Sequence, residues 1–519
     1  MNNNILIIDN HAELQIIEDQ HPELCHAKLV LLSGNFSQDE LKSYSKREFC
    51  YFDEIITIED ALFFSNEVSI IIWNWFLDND NNDLSEINGC SLGSAFIYSL
   101  EIILNTSFKY LTAFRKLLDK NTIVYCSSRT EGMFLEVINF LSIEIGFCLN
   151  LIESNINVDA HTRGRRKVKV DVGGRYKDLA PIFKKTDFKQ ILLSSYFIKV
   201  QKILKRNNNE KCVLFMPAGK HEYYFKYIKT ESKGHGFNWI LPLTKLEDFS
   251  PLKHKNLFFY YFSSMGDKHF SKTDRLIEKL KKNIEFKIKS IDYQLMISIM
   301  DMHIFPYFQG ALNYFNNSEK FLQEYKPNLI VLSSESHELF NLTGQAAKKN
   351  KIKTALLPHG IYGRGSSKYK IGRFKWIDYG FAFGNLDKDK FLLSGLDNEN
   401  IFITRHPYFE RFLPTPIKKL KIDYRKAILL PPDLDPRDGR DKIQNEFRFY
   451  KNVIRLLISL NIEILGVKIR DESHFKTRSM QNFLIIDGVN IPVITHDVLF
   501  SDIVKEADIV IGPESTAIL

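Results

Sequence analysis

A chain of 519 residues is too long for a single hydrophobic core and is expected to hold two to four domains. Its 44% apolar and 26% charged residues are those of an ordinary globular protein. The net charge of +7 suits anionic ligands such as nucleotides, or an anionic membrane surface, but is too small and too dispersed to argue for nucleic-acid binding. The six cysteines include no Cys-x-x-Cys pair and none follows Cys212, which reads as reduced thiols and speaks against a zinc site or a disulfide frame.

The chain opens with MNNNILIID, which enters a strand directly and offers no signal peptide. No apolar run reaches the length of a membrane span, so the expected location is the cytoplasm, at most peripheral at the inner face of the membrane. Strands are predicted at residues 4–9, 28–33, 54–58, 68–73 and 122–126. A second series falls at 212–216, 257–262, 328–332, 354–357, 379–383 and 401–404. A third falls at 427–430, 463–467, 492–494 and 508–511. Runs this apolar belong to parallel sheets buried on both faces, and their alternation with helical stretches gives the doubly wound α/β class. The expected domains are an N-terminal α/β subdomain over 1–160, a Rossmann-like lobe over 188–414 and a second such lobe over 423–519. Between them lie a basic, glycine-interrupted stretch at 161–187 and a Pro-containing basic linker at 411–426. The Asn/Asp-rich stretch 77–86 reads as a solvated turn, since it lacks the central glycine of an EF-hand.

Polar residues gather just past several predicted strands, which is where open α/β sheets bind their ligands. The final strand turns at Gly512-Pro513 into Glu514, Ser515 and Thr516, which open a helix. Free N–H groups and the helix dipole there favour an anion, the two hydroxyls add donors for phosphate, and Glu514 suits the paired hydroxyls of a ribose. The plainer alternative for Ser515 is an N-cap. The strand at 463–467 ends in Lys468 and Arg470, a point charge and a bidentate grip for phosphate. In ALLPHGIYGRG, His359 follows a strand end and is placed for proton transfer, with Gly360 and Arg364 beside it; alternatively it hydrogen-bonds a loop backbone. In VLSSESHELF, Glu335 is the rival base.

This order of strands and polar ends, with ADIVIG and Ser515-Thr516 closing it, resembles the C-terminal lobe of GT-B glycosyltransferases of bacterial surface polysaccharides, such as capsule and lipopolysaccharide O-antigen. It is also similar to their relatives in fold, the non-hydrolysing UDP-GlcNAc 2-epimerases. The resemblance covers roughly residues 325–519 and departs from the Lys-x-His-Pro of relatives using CMP-activated sugars, because Lys468 is followed here by Ile469-Arg470-Asp471. It implies two Rossmann-like lobes with an additional N-terminal α/β subdomain, the C-terminal lobe being incomplete at Leu519. It further implies a metal-independent transfer, without a cofactor, from a nucleotide-sugar donor to a glycan or lipid-linked glycan. Lys468, Arg470, Glu514, Ser515 and Thr516 would hold the donor, and His359-Gly360 looks like the His-Gly of transferases that make teichoic-acid-like polymers. His406 would be a hinge or cleft-edge residue. A nucleotide-sugar 2-epimerase and a non-catalytic polysaccharide-assembly protein are the alternatives; the first would convert donor without acceptor, the second would bind nucleotide without turnover.

Overall fold

The computed structural model describes residues 3–9, 11–32, 43–44, 46–128, 132–153, 211–216, 237–242, 257–260, 270–287, 292–334, 338–358, 375–404, 425–430, 443–468, 485–486, 489–494, 498, 502–503 and 505–512. The chain divides into two units, neither contiguous in sequence. The first takes Met1–Val68, Ile102–Gly174 and Ile417–Leu519; the second takes Ser69–Glu101 and Arg175–Pro416.

The first unit contains two parallel sheets. One is built from β1 (Asn3–Ile8), β2 (Lys28–Leu31), β3 (Phe49–Tyr51), β6 (Thr122–Ser127) and β7 (Cys148–Ile152), in the order β3-β2-β1-β6-β7. Ile5 to Ile8 are all buried, as a central parallel strand covered on both faces requires. Helix α1 (His11–Gln20) follows β1. Helix α2 (Ile58–Asn74) begins in a reciprocal capping box: the Thr57 N–H donates to Asp60 Oδ2 at 2.6 Å, and the Asp60 N–H to Thr57 Oγ1 at 3.2 Å.

Two strand expectations fail here. Residues 68–73 lie inside α2, because Phe64, Val68 and Ile72 are buried one turn apart while Phe63 and Ile70 face solvent. That spacing is helical, and it overrides the local β-branched run. Residues 54–58 instead run from the second half of a 3-10 turn, Phe52–Ile55, into the first residue of α2; in that turn Glu54 Oε2 takes the Tyr51 N–H at 2.8 Å and ends β3.

The second sheet of this unit joins β15 (Lys426–Leu429), β16 (Glu463–Lys468), β19 (Val493–Ile494) and β20 (Ile509–Ile511) in the order β19-β16-β15-β20, all parallel; between β16 and β19 in sequence, β17 (Ile485–Ile486) and β18 (Val489–Asn490) form a separate antiparallel pair. Helix α11 (Ile443–Ser459) joins β15 to β16 and buries Tyr450, Ile454 and Leu457 with Ala427, Leu429 and Val467. The Tyr450 hydroxyl donates to the Leu430 carbonyl at 2.5 Å. Gly466 sits at φ +152° beside a register shift between Ala427 and Ile428; a Cβ there would lie 2.8 Å from the Pro492 carbonyl oxygen.

The second unit is built on seven parallel strands: β8 (Lys211–Met216), β9 (Phe237–Pro242), β10 (Leu257–Tyr260), β11 (Leu329–Leu332), β12 (Lys353–Leu356), β13 (Tyr379–Ala382) and β14 (Ile401–Ile403). Their order is β10-β9-β8-β11-β12-β13-β14. Helices α6 (Phe270–Lys287), α7 (Asp292–His303) and α8 (Phe308–Tyr325) precede β11; α9 (Glu338–Lys349) and α10 (Asn385–Leu393) follow β11 and β13. Gly344 on α9 is required by Trp376, whose Cβ would lie 2.9 Å from an added methyl.

Residues 69–101 also belong to this unit. The turn at 77–86 is as expected: Asp78 Oδ1 accepts the N–H groups of Asp80 and Asn82, each at 2.8 Å. It leads into a hairpin of β4 (Glu86–Ile87) and β5 (Cys90–Ser91), turned by Asn88 at φ 54° and Gly89 at φ 82°, the left-handed pair a two-residue hairpin demands. The short helix α3 (Leu92–Ala95) and helix α4 (Ile97–Leu117) then carry the chain onward. Helix α5 (Gly132–Ile145) lies between β6 and β7.

Candidate functional site

In a doubly wound sheet the ligand crevice opens at the carboxyl ends of the two strands between which the chain order reverses. Each of the three large sheets has such a point: β1/β6, β8/β11 and β15/β20.

At the first, the helix N-terminus already has an anion of its own. Glu13, in the first turn of α1, accepts the Asp9 N–H at 2.7 Å.

At β8/β11 the rim is defined by backbone bonds that step from strand to strand. The Ser333 N–H donates to the Met216 carbonyl at 3.2 Å, spanning the reversal point, and the Leu357 N–H donates to the Leu332 carbonyl at 2.8 Å. Farther along, the Thr404 N–H donates to the Ala382 carbonyl at 2.8 Å, and Asp387 Oδ2 takes the Phe383 N–H at 3.1 Å at the start of α10. The rim is polar and closely packed: Ser333, Ser334 and Glu338 are buried, and Ser333 Oγ has no hydrogen-bond partner among the described residues. Glu338 opens α9, where the helix dipole favours a carboxylate.

At β15/β20 the Leu430 N–H donates to the Ile511 carbonyl at 2.7 Å, and the described chain runs on to Gly512. Lys468 is the last residue of β16, the strand next to β15, and is half-buried.

Of the residues singled out in the sequence, Lys468 is the one whose place is described, at a carboxyl strand end as expected. Arg470, Glu514, Ser515, Thr516, Glu335, His359, Gly360, Arg364 and His406 lie outside the described residues. The chain leading to several of them is described: to Pro358 for His359, to Ser334 for Glu335 and to Gly512 for Glu514. Glu338 was missed. It forms a polar stripe with Asn341, Gln345 and Lys349 at helical spacing on α9, a pattern visible in the sequence.

All six cysteines are free. Burial raises the Cys212 thiol to about 11, and burial with the Glu13 charge raises Cys126 to about 12. Among the described residues no group of three His, Cys, Asp or Glu side chains could hold a metal ion. No described helix is long and apolar enough to cross a membrane.

No family model matches the chain, and no curated protein matches it. Among solved structures it is similar to GT-B glycosyltransferases and UDP-GlcNAc 2-epimerases. A lipopolysaccharide outer core galactosyltransferase in its apo form is 14% identical over 55% of this chain and 67% of its own, with a TM-score of 0.30. A glycosyltransferase from Rickettsia africae is 15% identical over 59% and 74%, with a TM-score of 0.35. A UDP-GlcNAc 2-epimerase from Neisseria meningitidis bound to UDP-GlcNAc is 11% identical over 58% and 77%, with a TM-score of 0.31. These are likenesses of architecture alone.

Proposed function

We propose that the chain is a metal-independent GT-B glycosyltransferase that moves a sugar from a nucleotide-sugar donor to a surface-polysaccharide or lipopolysaccharide acceptor. The observation that carries this reading is the strand order β19-β16-β15-β20. It sets a reversal point immediately before residues 514–516, with Lys468 closing the neighbouring strand. Departure of a nucleoside diphosphate or monophosphate from the sugar builds negative charge on phosphate. Lys468, Arg470 and the helix-opening Ser515 and Thr516 meet that charge with ammonium, guanidinium and N–H or O–H donors, so no divalent ion is required for it. Glu514 accepts from the ribose hydroxyls. On the acceptor side, His359 takes the proton from the attacking hydroxyl, with Gly360 allowing close approach and Arg364 and His406 at the edge of the acceptor; Glu335 is the rival for the same role. The acceptor is a glycan or lipid-linked glycan. The net charge of +7 and the absence of paired cysteines support work in the cytoplasm, peripheral at the inner face of the membrane.

The test is the His359→Ala variant. Loss of a general base lowers the transfer rate by about 10²–10⁴-fold. Nucleotide binding, read by thermal shift with UDP, CMP, GDP and CDP, should persist in the variant. Wild-type transfer by His359→Ala refutes the base assignment. A flat thermal shift for wild-type protein with every nucleotide refutes the donor site, and conversion of a UDP-sugar without acceptor would make the chain an epimerase.

A further inference from the structure

Helix α9 is held along one face by a ladder of polar contacts to the hairpin of β4 and β5 and to the short helix α3 that follows it. At its C-terminal end, Lys349 Nζ donates to the Asn88 carbonyl at 2.9 Å. One turn back, Gln345 grips both backbone groups of Ser91: its Oε1 accepts the Ser91 N–H at 2.7 Å, and its Nε2 donates to the Ser91 carbonyl at 3.0 Å. One turn further back, Asn341 Nδ2 donates to the Ser94 carbonyl at 3.3 Å, while Asn341 Oδ1 takes a second bond from Gln345 Nε2 at 2.7 Å. Helix positions 349, 345 and 341 are thus matched by positions 88, 91 and 94. Gln345 is buried, so both ends of its amide must be satisfied or desolvation is left unrepaid. Seven residues before Gln345, on the same face, stands Glu338 at the β8/β11 rim.

A slip of α9 along its axis by one residue, about 1.5 Å, would break every rung. We propose that Gln345 is a positioning residue: by locking α9 to Ser91 it fixes the height of the first turn, and so of Glu338 and the Ser333-Ser334 rim, against the sheet. Its effect on turnover rests on the transferase reading given above; its effect on the rim does not.

The test uses the full-length Gln345→Ala variant, followed by amide hydrogen exchange and steady-state kinetics. Faster exchange at the Ser91 amide verifies that the ladder is broken. Exchange at Ser333, whose N–H is held by the Met216 carbonyl at the rim, should then rise by about tenfold, with β15 and β16 unchanged. The value of kcat should fall by about tenfold while donor KM stays within about twofold, because the rim and not the donor site has moved. A merely structural loss would raise exchange in every element or change both kinetic constants together. Asn341→Ala removes the rung nearest Glu338 and gives the same pattern at smaller size, serving if Gln345→Ala does not fold. Unchanged exchange at the rim with the ladder broken overturns the proposal, as does a looser rim with unaltered kcat. If wild-type protein transfers no sugar but the rim still loosens, the transferase reading fails and the positioning stands.

Discussion

Asp378 offers a direct test of how the acceptor-side sheet is held, because one carboxylate joins β12 to β13. It accepts the Thr354 N–H at 2.9 Å and Lys353 Nζ at 3.1 Å. Burial alone would raise its pKa, but the Thr354 N–H and the Lys353 and Lys348 ammonium groups together outweigh burial and hold the carboxyl below its ordinary value. Asp378→Asn keeps the shape and removes the charge. A hydrogen bond to a charged acceptor is worth ~1.5–3 kcal/mol and one to a neutral acceptor ~0.5–1.5, so the substitution should cost about 1–2 kcal/mol at neutral pH. The Lys353 ammonium adds little, ~0–1 kcal/mol, because its side chain is 59% exposed. The sign of the pH dependence follows from the depressed folded-state pKa. The stabilisation is complete above the unfolded value, ~3.9, and is lost as pH falls through the folded value. Wild type and variant should therefore differ at pH 7 and converge as pH drops below ~4. Urea unfolding followed by tryptophan fluorescence measures this, with Trp376 adjacent: its carbonyl accepts the Thr354 hydroxyl at 2.5 Å. Equal stability at pH 7, or a difference that stays constant into acid, would refute the reasoning.

Gly466→Ala should lower the melting temperature, by a loss of ~1–3 kcal/mol, because the residue sits at φ +152° and its new Cβ would meet the Pro492 carbonyl oxygen, which is backbone and cannot swing away. The buried thiols predict alkaline sensitivity. Burial raises Cys126 to about 12 and Cys212 to about 11, and lifts Cys90 well above its ordinary value. Their neutral forms contribute fully below the unfolded thiol pKa, ~8.5, and that contribution is lost as pH rises towards the folded values. Melting temperatures between pH 8 and 11 should fall more steeply for wild type than for Cys126→Ala. In native protein a thiol reagent should modify exposed Cys25 and Cys148 quickly, and Cys90 and Cys126 only after unfolding.

Strand content was legible where the apolar run was short and bounded, as at Ile5–Ile8, Leu329–Leu332 and Ala427–Leu429, because central parallel strands leave no polar face. Strands β3, β7 and β9 were passed over: Phe49–Tyr51 and Cys148–Ile152 lie at sheet edges and are short or half-exposed, and Phe237–Pro242 is interrupted by Asn238 and Pro242. The run at 68–73 was misread because β-branched residues look alike locally in strand and helix; the burial of Phe64, Val68 and Ile72 decides for helix. For the candidate site, the position of Lys468 at the end of β16 could be read from strand length and charge. The role of Gln345 could not, since its partner Ser91 is 254 residues away and nothing in either local sequence names the other.

That separation has a consequence for how the polypeptide comes into being. A fragment starting at residue 175 would emerge with Gln345, Asn341 and Lys349 facing water, their hairpin missing, even though every strand of its sheet was present. On the ribosome, likewise, the hairpin around Ser91 must wait until α9 has been made. Contacts closed over so long a loop are slow to form, so residues 69–101 should become protease-resistant later than the sheet of β1 and β6 that flanks them in sequence.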